Sequence, residues 1–265
     1  MNTRDYLVVA VVAILVVLAC SYIVSNGSED DEKSTDRIGI IGAMEPEVAL
    51  LIDSMDLEYT KTIADMKYHV GKLGDQDVVV VQSGMGKVNA GICAQTLISE
   101  FKVGSVINTG VGGALDERLT WNDFVISTDA LQHDFDVEPI GFKKGEIPFT
   151  GKISFEADEK LIEEAVTAVK KAAPLVNVYE GRICSGDQFI SSTEQKDEIV
   201  SNFGGMCCEM EGGAIAQVCY LNHVPFVIIR TISDKADGTG PDDYDQFMEQ
   251  AAKRSAMVVH YMVSQ

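Results

Sequence analysis

Continuous runs of β-branched residues, VVVVQ at 78–82, SVINT at 105–109 and FVIIRTIS at 226–233, alternate along this chain with helical patterns such as NAGICAQTLISEF and DEKLIEEAVTAVKKAA. A strand without polar alternation must be covered on both faces, and a helix between two such strands makes the crossover that lets them run parallel. The alternation therefore predicts one α/β domain over residues 37–265, with three layers, αβα, around a central mixed, largely parallel sheet. Such a length buries a sizeable core without disulfides or metals. Strands are expected at RIGIIGAM, YHVGKLGDQDVVVVQSG (a hairpin turning at Gly74-Asp75), VGSVINTGVGGAL, DFVISTDALQHD, VYEGRICSGDQFI, GMCCEM and VPFVIIRTISD. Helices fall between them, the first opened by Pro46 and the last running from about Tyr244 to the end. Residues 137–153 read as irregular.

The first residues are a different material. Arg4 precedes an uncharged run from Tyr6 to Val24, a length between that of a signal core and that of a spanning helix. VLAC, Val17 to Cys20, resembles the lipobox of bacterial lipoproteins, which would make Cys20 a lipidated residue; an uncleaved anchor helix is the alternative. In either case residues 1–24 imply a membrane-anchored chain whose folded domain is exported, because Arg4 stays on the cytoplasmic side. Residues 25–36 read as an acidic polar linker.

The net charge of −20 excludes nucleic acid as a partner, since phosphate binding needs a basic footprint. Cys93, Cys184, Cys207, Cys208 and Cys219 sit in apolar contexts without metal-ligand spacing and read as buried free thiols. No metal or other cofactor is expected.

Ligands of open α/β sheets gather beyond the carboxyl ends of the strands. Those ends read GAMEPE, SGMGK, NTGVGG, SGDQFI, CCEMEGG and RTISD, dense in Gly, Ser and carboxylate. The glycines of TGVGGAL alone read as a tight turn. Glu45 and Glu47, two apart, point in different directions on a helix. Glu47 lies in the first turn, where the helix dipole favours the ionised form. Asp234 ends an apolar strand, so burial should raise its pKa and keep it protonated near neutrality. Glu211 stands at a strand-to-helix junction.

Jointly, IGIIGAMEPEVALL, SGMGKVNAG, INTGVGGAL, SGDQFI, CCEMEGGAIAQVC and VPFVIIRTISDKAD resemble the 5′-methylthioadenosine/S-adenosylhomocysteine nucleosidase family, in order from Arg37 to Val263. The resemblance implies a nucleoside phosphorylase-like fold, a homodimer, and adenine nucleosides as substrates. It makes Asp234 the acid that protonates adenine N7, oriented by Ser233, and Glu47 the base that activates water. Glu211 would hold the ribose hydroxyls with Met210 against the sugar. Phe189 would stack on the purine and the backbone of Ile190 would read its edge. Ser83 and Arg230 would line the ribose and water side, with Glu209 nearby. A partner subunit would complete the 5′ pocket through Val137, Ile140 and Pro148, although Ile140 stands where the family pattern has phenylalanine.

Elementary chemistry agrees with these roles. N-glycoside cleavage passes through an oxocarbenium-like state, so it needs protonation on the leaving side and a carboxylate with water on the sugar side. Rival expectations are a futalosine hydrolase or a phosphorylase of the same fold. A rival from another class is a surface-displayed, non-enzymatic binding lipoprotein.

Overall fold

The structure is a computed structural model that describes residues 36–265. The expectations for residues 1–24, for Cys20 and for the linker short of Asp36 lie outside the described residues. Among the described residues no helix is long and apolar enough to cross a membrane.

The chain runs β1 (Ile38–Gly42), α1 (Glu45–Ser54), β2 (Asp56–Ile63), β3 (Met66–Leu73), β4 (Gln76–Gln82), α2 (Lys87–Phe101), β5 (Ser105–Ala114) and β6 (Phe124–Gln132). A single 3-10 turn (Glu138–Ile140) follows, then β7 (Ser154–Glu156), α3 (Glu159–Ala172), β8 (Val178–Ser185), α4 (Thr193–Phe203), β9 (Cys207–Glu209), α5 (Gly212–Asn222), β10 (Phe226–Asp234) and α6 (Gly240–Val263). Local chemistry marks several ends. Asp158 accepts from Leu161 N to cap α3, Ser192 accepts from Gln195 N to cap α4, and Gly204 closes α4 in the left-handed region.

Alternate residues of the central strands enter different cores. Ile40, Val78, Val80 and Ile107 pack with Val48 and Leu51 of α1, Leu161 and Val169 of α3 and Val258 of α6. Their neighbours Ile41, Val79, Val81 and Val106 pack with Cys93 and Leu97 of α2 and Ile215 and Cys219 of α5. Both faces are thus covered, as the unbroken apolar runs require.

The simple layered picture needs one correction. β5 pairs in parallel with β10, β10 antiparallel with β6, β6 and β9 each in parallel with β8, and β9 antiparallel with β5. The five strands return to their start as a closed ring, from which β1, β4, β3 and β2 continue as an open sheet. Register shifts at Ile232/Asp234 and at Ser127/Ala130 supply the local bending that closure demands. Three local readings also change. β2 is an almost wholly exposed edge strand, without the apolar signal that would have announced it. TGVGGAL is no turn: its glycines lie inside β5. The last helix starts at Gly240, with Pro241 in its first turn.

Candidate active site

One pocket opens where β1, β5, β9 and β10 end, lined by Met44, Glu47, Phe189, Met210, Glu211 and Asp234 among others. The first turn of α1 aims Glu47 inward and leaves Glu45 exposed, as their spacing requires. Glu47 reaches back over its helix start: Oε2 accepts from Ala43 N at 2.7 Å and Met44 N at 2.8 Å, and Oε1 accepts from Val111 N at 3.1 Å. These bonds and nearby Arg230 favour the carboxylate, yet burial outweighs them and raises its pKa. The first-turn position is as expected, but its electrostatic consequence is reversed.

Asp234 closes β10. Oδ2 accepts from Ser233 Oγ at 2.9 Å and Oδ1 from Ala236 N at 2.9 Å. Burial pushes its pKa up despite both bonds, as its place at the end of an apolar strand predicts.

The glycines of β5 explain how both carboxyl groups fit. A Cβ on Gly110 would lie 2.6 Å from Glu47 Oε1, and one on Gly113 would lie 2.7 Å from Asp234 Oδ1. Any side chain at either position would displace a carboxyl group. Positions 110 and 113 are about 10 Å apart along extended chain.

Behind this pair lies a buried charge network. Arg230, almost wholly inaccessible, donates through Nη2 to Glu209 Oε2 and, at 2.7 Å, to Asn108 Oδ1. Its Nη2 also lies 3.6 Å from Glu211 Oε2. Glu209 accepts in addition from Ser185 Oγ and from the backbone N–H groups of Glu211 and Gly212, which open α5. Arg230 and these donors hold Glu209 below the usual carboxylate range. Glu211 differs: burial and the Glu209 charge raise it to about 7, against Arg230 and a 2.8 Å bond from Gly86 N. Gly86 presents that N–H from a backbone with φ 95°, where only glycine is unstrained.

The apolar wall holds Phe189, Ile190 and Met210 as expected, with Phe189 meeting Tyr244 edge-on at 5.4 Å. Tyr244, whose hydroxyl points to Met44 Sδ at 3.1 Å, was not anticipated as a site residue. No local sign of it exists in the sequence, since α6 begins only at Gly240, after β10 has ended at Asp234, and its path across the strand ends is set by packing. Cys208 also lines the pocket, and all five cysteines among the described residues are buried and free.

Ser83 and Arg230, expected to line the ribose and water side, stand off the pocket lining. Ser83 is buried and donates to Gly84 O at 2.8 Å, supporting the β4–α2 turn without lining the pocket. Arg230 lies one layer back against Glu209, while Ser233 lines the pocket and donates to Asp234. Val137, Ile140 and Pro148 do not line the pocket of this single chain, and Ile140 is exposed.

Known proteins resemble this chain in sequence and in fold. The Phosphorylase superfamily profile matches residues 37–264. The 5′-methylthioadenosine/S-adenosylhomocysteine nucleosidase of Staphylococcus aureus is 43% identical over 229 residues, covering 86% of this chain and 99% of the relative. Its Staphylococcus haemolyticus counterpart is 41% identical over 227 residues, covering 85% and 98%. The Neisseria meningitidis nucleosidase of that name, solved with methylthio-immucillin-A, superposes with a TM-score of 0.83 at 37% identity, covering 87% of this chain and 99% of that one. Helicobacter pylori futalosine hydrolase superposes at 0.81 with 32% identity, covering 86% and 97%. These relatives carry enzyme names and lend nothing to the alternative of a binding lipoprotein. On matches of this extent, the chain belongs to the phosphorylase superfamily and, within it, to the 5′-methylthioadenosine/S-adenosylhomocysteine nucleosidases, hydrolases of the N-glycosidic bond.

Proposed function

We propose that this pocket hydrolyses 5′-methylthioadenosine and S-adenosylhomocysteine, and 5′-deoxyadenosine as a smaller relative, releasing adenine and the 5-substituted ribose. The observation that carries the reading is the pair of buried carboxyl groups, Glu47 and Asp234, set against two bare glycines of one strand. Asp234 gives its proton to adenine N7 as the C1′–N9 bond breaks, so its electron pair leaves on a neutral base. Water forms the new bond at C1′ and passes a proton to the Glu47 carboxylate. A raised pKa suits both tasks, keeping Asp234 protonated and making Glu47 a stronger base. Glu211 holds the ribose hydroxyls with Met210 beneath the sugar, Phe189 stacks on the purine, and the Ile190 backbone reads its edge. Arg230 and Ser83 support the ribose and water side from one layer back.

Water rather than phosphate is the nucleophile. Four carboxyl groups (Glu47, Glu209, Glu211 and Asp234) and no lysine or arginine line the pocket, so a phosphate would meet the Glu47 and Glu209 carboxylates without a cation on the lining to hold it. Likeness to futalosine hydrolase supports a second reading, in which the same chemistry serves a nucleoside with a larger 5′ group.

The functional unit is a homodimer. Met85, at the pocket mouth, is 59% exposed and begins an apolar row with Val88 and Ile92 on α2. A second copy seated there would cover the mouth, with Val137, Ile140 and Pro148 as the residues lent to the neighbouring pocket. Residues 1–24 anchor the chain to a membrane with the domain exported, the uncharged run from Tyr6 to Val24 being the support. Protease digestion of intact cells tests that placement, and a fully protected domain would sink it.

The deciding experiment measures adenine release from 5′-methylthioadenosine without phosphate, beside Asp234→Asn. Rapid release by the wild type with a loss of roughly 10²–10⁴-fold in the variant is expected. No release from either nucleoside by folded protein would reject the reading.

A further inference from the structure

Asn108 lies on β5, buried and away from the pocket lining, yet it touches both halves of the charge arrangement. Its Nδ2 donates to Ile41 O at 3.0 Å, two residues before the Ala43 N–H that holds Glu47. Its Oδ1 accepts from Arg230 Nη2 at 2.7 Å. The opposite amide orientation would set NH₂ against a guanidinium and oxygen against a carbonyl, so chemistry fixes the side chain this way round.

Arg230 shows what this contact decides. Its Nε–H is buried and has no hydrogen-bond partner. The guanidinium is therefore oriented chiefly by the two acceptors on Nη2, Glu209 and Asn108. In that orientation Nη1 comes against Gly110, 3.1 Å from where a Cβ would stand, on the same bare spot that Glu47 Oε1 occupies. The groups facing the guanidinium are Glu47 from α1, Glu209 and the Cys207 thiol from β9, and Glu211 at the start of α5. Tyr244 of α6 faces Glu47, Glu211 and Asp234 in turn.

We infer that Asn108 is a positioning residue: it fixes Arg230 so that one cation serves Glu47 and Glu211 as well as its direct partner Glu209. A neutral amide does this without consuming charge. An aspartate would be a fourth carboxylate competing for the same guanidinium and would repel Ile41 O. An alanine or serine would release Arg230 toward Glu209 alone. The inference rests on the site reading above only for its kinetic consequence.

The test uses the full chain labelled with ¹³C at the glutamate carboxyls, the Glu47 and Glu211 signals being assigned by their Gln variants. Asn108→Asp should move the titration midpoint of Glu47, Glu211 or both upward by roughly one pH unit, and Asn108→Ser by about half that, because each loses attraction to Arg230. Adenine release should fall by about tenfold or more in kcat with KM little changed. Midpoints equal to the wild type in both variants, with only thermal stability lowered, would make Asn108 a structural residue and overturn the proposal. Failure of both variants to reach native circular dichroism would overturn it too. A wild type inactive on adenine nucleosides would reject the proposed function, while the titrations would still judge Asn108.

Discussion

Asp234 rests on the bare backbone of Gly113 so closely that a Cβ there would lie 2.7 Å from Oδ1. Glu47 uses Gly110 on the same strand in the same way. The two carboxyl groups therefore depend on what β5 lacks as much as on what their own segments supply. Gly113→Ala should leave the fold intact by circular dichroism but lower kcat/KM for adenine release by about 10²-fold, since a displaced acid no longer meets its acceptor. An alanine variant as active as the wild type would show that the close approach has no role in the chemistry.

The pH dependence follows from burial. The proposed mechanism uses Glu47 ionised and Asp234 protonated, and both pKa values are raised by desolvation. The kcat/KM profile should be a bell that rises as Glu47 loses its proton and falls as Asp234 loses its own, shifted toward neutrality relative to ordinary carboxylates.

Stability should depend on pH through Glu211. Its folded value of about 7 exceeds the ordinary 4.5, so between them the folded chain keeps a proton that the unfolded chain has released. That contribution is complete below 4.5 and is lost as the pH rises through about 7. Thermal scans should show Tm falling across this window, with a smaller fall in Glu211→Gln.

Arg230 and Glu209 form a buried ion pair whose partners are both nearly inaccessible. Arg230→Met strands Glu209 in the interior and should cost about 3–5 kcal/mol in urea unfolding. Adding Glu209→Leu should recover part of that loss, because it removes the stranded charge. Additive effects of the two substitutions would deny the coupling.

The α2 face should bind a second copy. Val88 is 72% exposed, and Val88→Glu places charge in the apolar row that starts at the pocket mouth. Sedimentation velocity should show a dimer for the wild type and a monomer for the variant, with weaker nucleoside binding. Phe149 is fully exposed, in the left-handed region (φ 67°), and packs edge-on against Phe142. It lies one residue beyond Pro148, so Phe149→Ser should weaken the same association.

Most helices, the paired faces of β1, β4 and β5, and the placing of Glu47, Glu211 and Asp234 at element ends were readable from residue order, while the roles given to the three carboxyl groups came from the resemblance. Their signals are local: unbroken Val and Ile runs, Pro46 at a helix start, a carboxyl group ending an apolar strand. The edge strand β2 escaped because nothing buries it, and Tyr244 escaped because its place depends on where α6 crosses the strand ends.

By itself the sequence determined an α/β chain with carboxylates at strand ends and the motifs of a nucleosidase. Only the tertiary structure decided that the sheet returns on itself through β10, β6, β8 and β9, that the glycines of β5 make room for two acids, and that Glu47 is pushed up rather than down. The reason is physical. Ring closure, close approach and desolvation are sums over segments far apart in the chain, and no local pattern of residues encodes such a sum.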